Sequence, residues 1–201
     1  MAACGGAAAL VTAALLSALP ASGQTVAASR PAVPRVAATS ASLARDLAAA
    51  RMATAKYATN LAKAKADGYQ IITMMMPNMG YHFLNPKVSG FSVRKPPILV
   101  YEHIGHRWQL GALEWVFTSM PKTPPLPDAT FGSFPAACHY KDGTFVPHKN
   151  AATCPKKAPK TGAAFFFWHP RLITMHVWIW YPNPSGLYAS TNPFVAPFNK
   201  G

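Results

Sequence analysis

The chain has 201 residues, enough for one domain with a proper core and too few for two comfortable ones. Half of its residues are hydrophobic, and nineteen Lys and Arg against six Asp and Glu give a formal charge of +13, which reflects scarce acids more than abundant bases. The bases are scattered and no helix-turn-helix, zinc-finger or aromatic RNA-binding pattern accompanies them, so a nucleic-acid function is not expected; a basic face that attracts anionic envelope polymers is the electrostatic alternative.

Residues 1–23 read as a signal peptide. Ala7 to Leu19 is an uncharged run of hydrophobic-region length, too short to span a bilayer, and small residues at Ala21 and Gly23 or at Val26 and Ala28 place cleavage after Gly23 or as late as Ala28. No Lys or Arg precedes the run, a departure from the usual export signal. Residues 24–39 are rich in Ala, Ser and Pro and read as a flexible linker, which leaves a single domain over 40–201. The expected location is therefore secreted, extracellular or in the cell envelope, with no transmembrane anchor after processing. Export makes the two cysteines left in the mature chain, Cys138 and Cys154, a disulfide pair, closing a short loop worth about 3 kcal/mol by chain entropy. A metal site made of Cys138, His139, His148 and Cys154 is the rival reading, although its spacing matches no zinc motif.

Ser40 and Ser42 can cap a helix running to Asp67, with Gly68 just past its end. Leu43, Leu47, Ala50, Thr54, Tyr57, Leu61 and Ala64 recur at steps of four and three and draw one packing stripe along it. The period then changes to that of strands. Tyr69–Met76 and Tyr81–Leu84 flank a Pro77–Gly80 turn, Ile98–His103 and Trp108–Phe117 make a hairpin, and Ala163–Trp168 precedes the strongest strand pattern, Leu172–Tyr181. The expected fold is α+β: one long N-terminal helix packed on a curved antiparallel sheet of about five or six strands, with a small cupin-like β-barrel as the alternative.

Met79–Pro86 (MGYHFLNP), Leu99–Glu102 (LVYE), Leu110–Val116 (LGALEWV) and His176–Pro193 (HVW, then NPSGLYA and NP), preceded by Ala53–Tyr57, resemble a family of small exported bacterial proteins of unassigned function. The resemblance spans roughly Arg51 to Val195, apart from the Cys138–Cys154 segment, and implies no activity.

Glu102 and Glu114 are the chain's two glutamates, and each lies inside an apolar strand, where a carboxylate must find a partner or rise in pKa. His82 and His176 occupy similar settings. Hairpin geometry sets the glutamates roughly 20 Å apart, so only one can join a histidine site. The expected constellation is His82, Glu114 and His176, with Glu102 as substitute; two imidazoles and a carboxylate with open positions form the ligand set of many zinc, iron and copper centres. Satisfied core polar groups are the bland alternative for the same residues, and metal-free acid–base work is another. Met74, Met75, Met76 and Met79 ahead of His82 add thioethers that suit copper, although methionines in a strand and turn are more often flexible core filler. Trp178 and Trp180, two and four residues after His176, are expected on its face as the walls of a pocket for a small-molecule ligand. No GxSxG elbow and no glycine-rich phosphate loop is present. The expected function is binding of a small ligand or metal ion by an exported protein, with a metal-dependent enzyme as the alternative. Oligomeric state has no signal in the sequence.

Overall fold

A computed structural model describes residues 40–198 of the chain. The signal-peptide and linker segments read from the sequence lie outside them. Among the described residues, no helix is long and apolar enough to cross a membrane.

The helical segment is broken into pieces. Helix α1 spans Ala41–Thr54, a 3-10 turn follows over Ala55–Tyr57, and a short α2 covers Leu61–Ala66. The stripe residues still face the core: Leu43, Ala50, Thr54, Tyr57, Leu61 and Ala64 are all buried. What the even spacing conceals is a hydrogen-bond demand from the sheet. The Tyr101 hydroxyl donates to the Tyr57 carbonyl at 2.7 Å, and the Leu110 N–H donates to the Ala58 carbonyl at 2.7 Å. Both carbonyls are available because the helix stops there. Asn60 then caps the restart, its Oδ1 accepting from the Lys63 N–H at 2.9 Å.

The main sheet has six antiparallel strands: β1 (Gln70–Met76), β2 (Gly80–Leu84), β3 (Ile98–Ile104), β4 (Arg107–Phe117), β5 (Gly132–Phe134) and β9 (Leu172–Val177), in the order β1-β2-β3-β4-β9-β5. Strands β1 and β5 end the order and do not pair with each other, so the sheet does not close as a cupin-like barrel would. A second sheet, β7-β6-β8, consists of β6 (Ala137–Tyr140), β7 (Phe145–Pro147) and β8 (Phe165–His169). The fold is thus α+β as expected, with the long helix replaced by short segments and a second small sheet added.

One face of the main sheet carries Phe83, Leu99, Tyr101, Leu110, Leu113, Trp115, Met175 and Val177 against the helices. The opposite face carries Ile98, Val100 and Ala112 together with the polar residues His82, Glu114 and His176. A register shift between Val100 and Tyr101 skips Gly111, which lets both Leu110 and Leu113 reach the helix side. The bulge also frees the Leu110 N–H for Ala58. Gly80 ends the β1–β2 turn with φ +102°. A Cβ there would lie 2.5 Å from the Tyr101 carbonyl oxygen and 2.6 Å from Glu102 Oε1, so no larger residue fits.

Two chain crossings link the sheets, and each sits at a proline. β5 passes into β6 across Pro135, and β8 passes into β9 across Pro170. Without an N–H a proline cannot continue a ladder, so each strand leaves one sheet and joins the other at that point. The second sheet is further tied to β1 by the Met74 N–H donating to the Gly143 carbonyl at 2.9 Å. The disulfide expected between Cys138 and Cys154 is formed, joining β6 to the loop after β7. Its sulfurs carry no thiolate, so the alternative cysteine–histidine metal site is not available.

Tyr101→Phe removes one buried donor while the Asn60 N–H still donates to the Tyr57 carbonyl at 3.2 Å, so it is expected to lower the unfolding free energy by about 0.5–1.5 kcal/mol in urea titration. An unchanged midpoint would show that this bond does not set the helix break.

Candidate functional site

His82 stands on β2, Glu114 on β4 and His176 on β9, all pointing to the face opposite the helices. Glu114 and His176 are direct cross-strand partners. His82 is three strands from His176, about 14 Å in a flat sheet. Their rings nevertheless meet, with Nε2 atoms 3.4 Å apart. Only a sheet curled toward this face brings them together, and the bulges at Ile72 on β1 and Gly111 on β4 supply the added twist.

The three side chains form a nearly equilateral cluster. His82 Nε2 lies 3.5 Å from Glu114 Oε2, and His176 Nε2 lies 3.7 Å from the same oxygen. All three residues are at least 95 % buried. Burial pushes the Glu114 carboxyl up to about 8 and the His176 ring down to about 4. His82 is held well below its ordinary value by burial first, and then by the His176 and His139 rings. At neutral pH the bare cluster is therefore three uncharged groups, with no salt bridge among them.

The two contacts to Glu114 are longer than a direct hydrogen bond, since an O–H donor reaches an acceptor at about 2.7–2.8 Å, and the His82–His176 contact of 3.4 Å is at most a long one. They match a shared ion. A point at the centre of a triangle with these edges lies about 2.0 Å from each corner, the length of zinc–nitrogen and zinc–oxygen bonds. That point lies in the plane of the three atoms; an ion raised to a tetrahedral position lies about 2.2 Å from each, at the long end of zinc bonds, whereas an octahedral face with these edges would need about 2.5 Å. The arrangement is tetrahedral in scale.

The orientation of His82 is fixed from behind. Its Nδ1 lies 2.8 Å from Thr73 Oγ1, and the same hydroxyl oxygen accepts the His82 backbone N–H at 3.1 Å. With Nδ1 engaged, Nε2 is the atom presented to the cluster, the support that metal-bound imidazoles characteristically have. Thr73 went unmarked in the sequence reading; its signal was a lone hydroxyl within the apolar run from Ile71 to Met76.

The cluster opens into a cavity of about 430 Å³ between the two sheets. Its walls include Phe134, Phe167, Trp168, Met76 and Met79. Trp178 and Trp180, expected as its walls, are absent from it. The strand ends at Val177, four residues earlier than the pattern suggests, and the chain turns. Trp178 packs with Val100, Ala112 and Val195 and donates from Nε1 to the Ala189 carbonyl. Trp180 swings to the helix side, donating to Thr54 Oγ1 at 2.9 Å beneath the Arg51 guanidinium. The aromatic wall is supplied instead by β5 and β8. The methionine group also divides: Met74 is half exposed, and Met76 and Met79 alone reach the cavity.

Glu102 does not join the cluster. Glu114 faces Ile98 across the ladder and Glu102 faces Gln109, four residues along β3, or about 13 Å. That is closer than the expected 20 Å because Glu102 pairs with Gln109 and the bulge at Gly111 takes up a further residue of β4, yet it is still a separate place. Glu102 lies fully buried beside Gly80 and Gly111, with neither carboxyl oxygen hydrogen-bonded. Two further histidines line the cavity, His139 on β6 and His169 at the end of β8. Burial lowers both, His139 to about 4.

No family model, curated protein or solved structure matches this chain.

Glu102 sets a pH dependence. Burial lifts its carboxyl from 4.5 to about 8, so between those values the folded chain keeps a proton that the unfolded chain has released. Stability therefore falls as pH rises, by up to about 1.4 kcal/mol per pH unit for one such group. His139 and His176, lowered from 6.5 to about 4, act in the opposite sense below 6.5, where the unfolded chain holds their protons. The carboxyls act alone from pH 6.5 to about 8. Over that window metal-free protein is expected to lose stability in urea titrations, and Glu102→Gln to reduce the slope by roughly half, with Glu114 carrying the rest. An unaltered slope in Glu102→Gln would contradict this assignment.

Proposed function

We propose that the mature protein is exported and binds one divalent transition-metal ion of the zinc type through His82 Nε2, Glu114 Oε2 and His176 Nε2. The observation that carries this reading is the triangle of 3.4, 3.5 and 3.7 Å edges, in which neither histidine hydrogen-bonds Glu114 directly and whose size encloses an ion at bonding distance. A bound dication reverses the electrostatics of the pocket. Glu114 ionises against it, both imidazoles stay neutral, and the buried carboxyl gains the partner that burial otherwise denies it.

Three protein ligands leave one tetrahedral position free, and the cavity lies over the cluster. A small ligand with an apolar body and one donor atom would coordinate the ion while resting against Phe134, Phe167 and Trp168. Binding of such a ligand is the function this arrangement supports best. The second reading, a metal-dependent enzyme, rests on the same free position, since catalytic zinc keeps one site for water or substrate. Export is supported by the Cys138–Cys154 disulfide, which persists in oxidising compartments.

Tag-free protein stripped with a chelator and titrated with zinc in a calorimeter is expected to show a tight equivalent that raises the melting temperature. His82→Ala with His176→Ala should abolish that equivalent. Thr73→Val, which leaves every ligand in place, should weaken it about 10–100-fold by freeing the His82 ring. Zinc affinity unchanged in the histidine double variant would end the proposal.

A further inference from the structure

His139 and His169 form a second cluster in the same cavity, outside the three-residue site. They are diagonal neighbours on β6 and β8, where His139 pairs with Phe167 and His169 pairs with Ala137. Their Nε2 atoms lie 3.0 Å apart. That distance suggests a hydrogen bond, but the other ring atoms exclude one between neutral rings. His139 Nδ1 is 2.7 Å from the Ile72 carbonyl oxygen, and His169 Nδ1 is 2.6 Å from the Pro170 carbonyl oxygen. A carbonyl only accepts, so each Nδ1 carries the ring's proton. Both Nε2 atoms then present lone pairs, aimed at each other.

Two facing acceptors repel unless a proton lies between them or a metal ion lies beside both. A proton could serve only by making one ring an imidazolium among Phe134, Phe145 and Phe167, the last of which stacks on His139 with ring centres 4.7 Å apart and planes 3° from parallel. Its two N–H groups would then be met by a carbonyl and by the other Nε2, but its charge would have no carboxylate beside it in that apolar box. A metal ion needs the opposite: two neutral imidazoles with Nε2 free and Nδ1 held by a carbonyl, which is how metal-bound histidines are oriented.

We infer that His139 and His169 bind a second transition-metal ion through their Nε2 atoms, as neighbouring ligands on the wall of the cavity formed by the second sheet. The geometry separates this site from the first. With metal–nitrogen bonds of about 2.0–2.1 Å, nitrogens 3.0 Å apart subtend close to 90° at the ion, the angle between neighbours in a tetragonal centre, while the first cluster has the wider edges of a tetrahedron. Square-planar and tetragonal nitrogen sites favour Cu(II), whose remaining positions here would be filled by water or by the cavity's ligand. Adjacent residues of β1 serve the two sites: the Ile72 carbonyl orients His139, and the Thr73 hydroxyl orients His82. The bulge that places both Ile72 and Thr73 toward the cavity is thus common to both.

The second site does not depend on the first. Full-length, tag-free protein carrying His82→Ala and His176→Ala would be titrated with Cu(II) and followed by electron paramagnetic resonance. One equivalent with a tetragonal signal and nitrogen hyperfine structure is expected, and it should vanish when His139→Asn and His169→Asn are added. No copper bound by the first variant, or equal copper in both, would overturn the assignment while leaving the zinc proposal standing. Conversely, zinc affinity unchanged by His82→Ala and His176→Ala, with retention of this copper signal, would remove the first site and leave the second standing. Should the variants unfold, wild-type crystals soaked in Cu(II) decide it. An anomalous peak within about 2.5 Å of both Nε2 atoms supports the site, and its absence refutes it.

Discussion

The curl of the main sheet is the constraint on which the rest depends. Glu114 sits at the centre of a face otherwise built from Ile98, Val100, Ala112 and Val116, and burial of a carboxyl there is costly unless something shares its charge or its proton. A flat sheet would hold His82 some 14 Å from His176 and give Glu114 one imidazole at most. Curling the sheet brings the second ring in, at the cost of bulges that break ladder hydrogen bonds. One of those broken bonds is repaired by the helix break, where Ala58 accepts the Leu110 N–H. The helix segmentation, the bulge and the histidine cluster are therefore one arrangement rather than three independent features.

The second sheet completes the cavity and depends on proline. Pro135 and Pro170 turn β5 and β8 out of one ladder and into the other, so the same pair of crossings that ends the main sheet delivers His139 and His169 to the space above Glu114. The Cys138–Cys154 bridge anchors β6 in that small sheet, which has little apolar core of its own beyond Cys138, Tyr140 and Ala158. Its stability matters to the site because β6 and β8 form one wall.

Much of this was legible in the residues themselves. A histidine or glutamate between Leu, Val and Trp announces a buried polar group, and His82, Glu114 and His176 all carry that mark. The strand pattern, the hairpin turning at Gly105, the packing stripe from Leu43 to Ala64 and the cysteine pair were equally plain, because each is a local signal. The curl was not, since it arises from bulges whose register only strand pairing defines. Trp178 and Trp180 continue the alternation of β9 without a break, and nothing in that alternation records that the ladder partner ends at Leu113. The helix break hid for the same reason: its cause is a demand from Tyr101 and Leu110, more than forty residues away in the chain. His169 stands beside Pro170, which locally marks only the end of a strand, and its place in the cavity follows from β6 bringing His139 against it.

The account's central claim is that the His82, Glu114 and His176 triangle encloses an ion, and X-ray absorption at the zinc edge of protein loaded with a single equivalent tests it most directly. A first shell of about four nitrogen and oxygen atoms near 2.0 Å, with the outer scattering of two imidazoles, is expected. A first shell of six oxygens without imidazole scattering, or one containing sulfur near 2.3 Å, would contradict it.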